Sequence, residues 1–85
     1  MKITKAGFND LIETERNAQD KQWGQQQHTD EKWLAIAVEE VGELAEAILE
    51  NNEEAMLEEI VQVAAVLENW VTSREFTLKT VRQRF

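Results

Sequence analysis

The chain has 85 residues, 17 of them acidic and 9 basic, and a formal net charge of −8. It is short enough to be one domain, residues 1–85, and acidic enough to argue against nucleic acid or an anionic membrane as its main partner. With no cysteine and one histidine it has no disulfide framework and no ordinary structural zinc site. It has no apolar run long enough to span a bilayer and no recognisable signal peptide, so a cytoplasmic protein is expected.

The first element expected is a helix over residues 4–22, capped by Thr4. Phe8, Leu11 and Ile12, then Glu15, Ala18, Gln19 and Gln22, follow helical spacing. The stripe begins apolar and ends polar. Either the end frays or its last turns face a polar ligand. Gly24 stops this helix, and a polar loop follows, Trp23 to Asp30, reading WGQQQHTD. In that loop Trp23 either plugs the core or stacks on a ligand. His28 either contacts a ligand or serves as a local cap. Thr29 or Asp30 starts the next helix, with acids in its first turn.

From Trp33 to Trp70 the pattern is that of a helical hairpin. In its first helix Trp33, Ile36, Ala37, Val41, Leu44, Ala47 and Ile48 form one stripe. Glu40 projects into the middle of that stripe and Glu43 at its edge. Glu39, Glu46 and Glu50 point outward. Gly42 sits mid-helix, where it costs about 1 kcal/mol against Ala, and close packing against another helix is the expected reason. Asn51-Asn52 forms the turn, with Asn51 and Glu54 as the expected cap pair. In the second helix Ala55, Ile60, Val63, Val66, Leu67 and Trp70 form the stripe. Glu59 falls inside it, and Gln62 and Asn69 share a line along its edge. Folding about the midpoint of the turn puts Glu40 level with Gln62 and Glu43 level with Glu59, giving a box of three carboxylates and one carboxamide.

Burying such a box costs several kcal/mol unless a cation compensates it, and all-oxygen ligands select hard ions, Mg²⁺ or Mn²⁺. The other reading is that these glutamates line solvated edges. Beyond Trp70, Thr72 or Ser73 ends the third helix and residues 77–85 form a short fourth, with Leu78, Val81 and Phe85 inward. Arg74, Lys79, Arg82 and Arg84 are then either a solvated cationic tail or a phosphate contact. Val61 and Ala65 lie outside the main stripe of the third helix. That excess of apolar surface suggests burial on two sides and self-association as a homodimer or homotetramer. The absence of strand-like alternation makes the fold all-α.

Glu40-x-x-Glu43 followed by Glu59-x-x-Gln62 resembles the ExxE…ExxD signature of the MazG-like all-α nucleoside triphosphate pyrophosphohydrolases. The likeness covers roughly residues 13 to 73, through ERNAQDKQWGQQQH, KWLAIAVEEVGELAEAIL and EEIVQVAAVLENW. Asn69 matches an Asn that often follows the signature. Gln62 departs from it, standing where the family has Asp.

The resemblance implies a four-helix-type bundle completed by a second subunit. It also implies hydrolysis of a nucleoside triphosphate between the α and β phosphorus atoms, releasing pyrophosphate and a monophosphate. Glu40, Glu43 and Glu59 would be the catalytic and metal-binding residues, with Gln62 as a further metal ligand. Trp23, His28 and Asn69 would bind substrate. Two readings compete with the enzyme: a nucleotide- or metal-binding module degenerate at Gln62, and a purely structural helical dimer. The second of these leaves Glu40 and Glu59 unexplained within apolar stripes.

Overall fold

The computed structural model describes residues 1–77, in which three helices and no strand are found. Residues 78–85 lie outside the described residues, and with them most of the expected fourth helix and Lys79, Arg82 and Arg84. No helix among the described residues is long and apolar enough to cross a membrane.

Helix α1 (Lys5–Trp23) starts on Thr4, whose Oγ1 accepts from the Gly7 backbone N–H at 3.0 Å. It stops at Gly24, which takes φ +73° while its N–H closes back on the Asp20 carbonyl. A positive φ is the conformation glycine reaches without a Cβ penalty. Helix α2 (Asp30–Leu49) is capped by Thr29, with Asp30 and Glu31 complementing the dipole in its first turn.

The turn into α3 (Glu53–Ser73) differs from expectation by one residue. Asn51 adopts φ +54°, and the N–H groups of Asn51 and Asn52 close back on the carbonyls of Ile48 and Ala47. This is the Schellman arrangement, with asparagine in place of glycine at the left-handed position. Asn52, not Asn51, is the cap: its side chain accepts from the Ala55 N–H at 3.0 Å. Two adjacent asparagines divide the two tasks that end one helix and begin the next.

Helix α3 lies between the other two, and the backbones of α1 and α2 stay apart. Trp33, Ala37 and Val66 form the buried centre of the α2–α3 seam, with Ile36 and Trp70 packed against it. Those pairs are the ones the hairpin register demands. At the far end Asp30 ties the hairpin shut, accepting from the Trp70 indole N–H at 2.8 Å and from Arg74 at 2.6 Å. Arg74 is therefore a latch on α2 rather than part of a free tail, and its guanidinium also lies 4.2 Å from the centre of the Phe76 ring.

Val61 and Ala65 are buried, as the second apolar side of α3 requires, and the cover comes from within the chain. Val61 shares a groove with Leu11 and Thr14 of α1, and Glu68, further along the same face, meets Arg16 at 3.7 Å. The argument for self-association from these two residues therefore fails, because α1 occupies that side. No residue of α1 is itself buried. Gly42 has no packing partner among the described residues, since a Cβ there would meet nothing within 4 Å.

Candidate active site

Because α1 and α2 both lean on α3 with their backbones apart, a cavity of about 330 Å³ opens between them. Helix α2 contributes Trp33, Ile36 and Glu40 to it, and α3 contributes Gln62, Val66 and Asn69. Helix α1 contributes Glu15, Ala18, Gln19, Gln22 and Trp23, and the loop adds Gln26. The polar last turns of α1 thus face the cavity and are not a frayed end. The volume falls within the range of small-molecule sites.

One end is acidic. A carboxylate oxygen from each of Glu40, Glu43 and Glu59 lies within 4.8 Å of the others. Glu40 and Glu59 are half-buried and Glu43 is exposed. Burial is the main reason that the Glu40 carboxyl is raised from 4.5 to about 7; a hydrogen bond shared with Glu59 and the neighbouring charges of Glu43 and Glu59 add to it. That bond exists only while a proton remains to be shared. Glu59 Oε2 is buried with no hydrogen-bond partner. An orphaned carboxylate oxygen, a depressed tendency to ionise and three hard oxygen donors at coordinating separation together fit a divalent cation.

Gln62 stands beside this end, but its carbonyl is engaged: Oε1 accepts from Gln19 Nε2 at 3.3 Å, and the same Gln19 amide donates to Glu15 at 3.1 Å. Asn69 lines the other end and is only 5% exposed. Trp23 also lines the cavity but is 63% exposed, so it does not plug the core. His28 is not among the lining residues. It sits edge-on to Trp33 with ring centroids 4.8 Å apart. The structure therefore brings together Glu40, Glu43 and Glu59, places Gln62, Asn69 and Trp23 along the same cavity, and sets His28 behind Trp33. Trp33 and Gln26 line the cavity without having been expected there. Trp33 carries the signature of a core residue, and Gln26 is one of three consecutive glutamines with nothing to mark it out.

The all-α chain belongs to the class of MazG-like all-α nucleoside triphosphate pyrophosphohydrolases. Within that class, residues 6–81 match the family model described as Phosphoribosyl-ATP pyrophosphohydrolase, and the chain belongs to that family. At this level it is a hydrolase of the pyrophosphohydrolase type. No curated protein and no solved structure matches it.

Proposed function

We propose that the protein is a Mg²⁺-dependent nucleoside triphosphate pyrophosphohydrolase that releases pyrophosphate and a nucleoside monophosphate, with Mn²⁺ able to replace Mg²⁺. The observation that carries this reading is the convergence of Glu40, Glu43 and Glu59, with Glu40 lining a cavity that also presents Glu15, five carboxamides and two indoles. Glu40, Glu43 and Glu59 would hold a divalent cation, which would supply neutralisation of the phosphate oxygens and polarisation of the α-phosphorus.

The chain's own residues do the rest. Glu43, the exposed member of the three, is the carboxylate that solvent reaches, and it orients the attacking water by accepting a hydrogen bond from it. Asn69 holds a ribose or phosphate oxygen, and the exposed Trp23 indole stacks on the base. His28 supports that end through its contact with Trp33. The compartment on this reading is the cytoplasm.

The active form on this reading is a homodimer or a homotetramer. The α2 stripe of Leu34, Val38, Val41 and Ile48 and the α3 stripe of Ile60, Leu67 and Val71 are exposed in the single chain. Such faces call for a partner, and a second copy completes a four-helix bundle. Gly42, open in the monomer and flanked along its helix by Val38, Ala45 and Leu49, lets a second backbone approach closely.

A second reading is favoured by Gln62. A neutral carboxamide whose carbonyl is held by Gln19 suits a module that binds nucleotide and metal without turnover. The deciding experiment incubates ribo- and deoxyribonucleoside triphosphates, together with the phosphoribosyl-ATP of the family's name, with the protein and Mg²⁺ and measures pyrophosphate. Metal-dependent release supports the enzyme. Calorimetric binding without release selects the module.

A further inference from the structure

Trp33 is the largest fully buried side chain, with 1% of its surface exposed. It also lines the cavity. Its indole N–H is buried and has no hydrogen-bond acceptor among the described residues. The contrast with Trp70 is direct, because Trp70 has its indole N–H satisfied by Asp30 at 2.8 Å. A buried donor left unpaired costs roughly 1–3 kcal/mol, and native proteins rarely leave one unless something else supplies the acceptor.

The position of this donor indicates what it reads. Trp33 and Glu40 are seven residues apart on one helix, so they lie on the same face with a rise of about 10 Å between them. Asn69 and Gln62 are separated in the same way on α3. The acids lie at the Glu40 end of the cavity and would hold the cation that faces the phosphates, so Trp33 lies at the end left for the nucleoside. Gln26, Gln22 and Asn69, which line the same cavity, are neutral hydrogen-bonding amides, and such groups suit an uncharged ligand portion.

We propose that Trp33 is a specificity-determining residue whose buried indole N–H donates a hydrogen bond to a neutral acceptor on the nucleoside portion of the substrate, either a base carbonyl or ring nitrogen or a sugar oxygen. The inference rests on the nucleotide reading of the cavity. Because a hydroxyl, carbonyl or ring nitrogen enters where only an unpaired N–H waits, a ligand lacking that acceptor leaves the donor stranded, and discrimination follows from that penalty.

The test replaces Trp33 by benzothienylalanine, in which a sulfur of similar size stands where the N–H was. Calorimetry with Mg²⁺ compares wild type and variant on α,β-imido nucleoside triphosphates, on the corresponding ribose triphosphate lacking a base, and on inorganic tripolyphosphate. The expected result is an affinity loss of about tenfold for at least one nucleoside analogue, none for tripolyphosphate, and a melting temperature equal to or above wild type. If the loss persists on the baseless compound, the acceptor is the sugar; if it vanishes there, the acceptor is the base. Unchanged affinity for every analogue overturns the inference and leaves the nucleotide reading standing. An equal loss for tripolyphosphate, or a fall in melting temperature, also overturns it, because the N–H would then serve the fold. If wild type binds no nucleoside analogue more tightly than tripolyphosphate, the nucleotide reading itself has failed.

Discussion

The two seams of α3 differ in material. Against α2 it buries an aromatic and aliphatic cluster around Trp33, Ala37 and Val66. Against α1 it covers only the smaller Val61 and Ala65 and adds a carboxamide bond from Gln19 to Gln62 and an ion pair from Arg16 to Glu68, while no residue of α1 is itself buried. Apolar burial contributes about 25 cal/mol per Å², whereas a half-exposed ion pair contributes under about 1 kcal/mol. The α2–α3 hairpin is therefore the rigid member, and α1 is docked on it more weakly. The acids sit on the rigid seam, where their separations are fixed. The recognition amides sit on the soft seam, where adjustment to a ligand costs little.

The largest expected effect comes from breaking the rigid seam. Trp33→Ala empties the centre of the cluster and should cost about 3–5 kcal/mol, enough to unfold much of a domain this small. Denaturant titration reads it, and a loss under 1 kcal/mol would mean that the hairpin is not held there.

A pH titration in chelator sharpens the comparison next. The Glu40 carboxyl is raised from 4.5 to about 7, so the folded state holds its proton more tightly than the unfolded chain does. That contribution is full below pH 4.5 and is lost as pH rises through about 7, so metal-free wild type should lose stability across that window. In Glu40→Gln this fall should be absent. Identical melting curves for the two proteins from pH 4.5 to 8 would remove the strain assigned to the acidic end.

On the soft seam the effects should be smaller. Gln19→Ala deletes a half-buried hydrogen bond and should cost about 0.5–1.5 kcal/mol, with metal-dependent stabilisation intact. If the metal response disappeared with it, Gln62 would be holding the acidic end after all. Smallest of all is the turn. Asn51→Gly should be neutral or slightly stabilising and Asn51→Ala should cost about 1 kcal/mol, because only the left-handed φ distinguishes them. Equal melting of the two would contradict the assignment of that turn.

The rigid seam was legible in the sequence because helical periodicity fixes which face each residue takes. It placed Glu40 among apolar neighbours and, with the turn located, brought Glu59 to it. The polar contacts were not, since partners such as Gln19 and Gln62 across the soft seam, or Asp30 with Trp70 and Arg74 at the end of the hairpin, carry no periodic signal and lie forty or more residues apart. Val61 and Ala65 announced a second covered side of α3, but an amphipathic sequence does not say whose surface covers it. At Asn51-Asn52 both residues tolerate a positive φ and both can cap, so their order was decided only by the backbone. Trp33 was read as core because burial and hydrophobicity coincide there; that its N–H lacks an acceptor is a fact of three dimensions.

The central claim is that Glu40, Glu43 and Glu59 form the metal site of a pyrophosphohydrolase. It is tested most directly by melting wild type, Glu40→Gln and Glu46→Gln in chelator and in millimolar Mg²⁺, with pyrophosphate release measured on the same preparations. Wild type and Glu46→Gln, whose side chain lies outside the cluster, should both gain melting temperature with Mg²⁺ by mass action on the folded state. Glu40→Gln should melt at or above wild type in chelator, lose most of the metal-dependent gain and lose most of any activity. If Glu40→Gln and Glu46→Gln instead respond alike to Mg²⁺ and release pyrophosphate equally, the three glutamates are not the site.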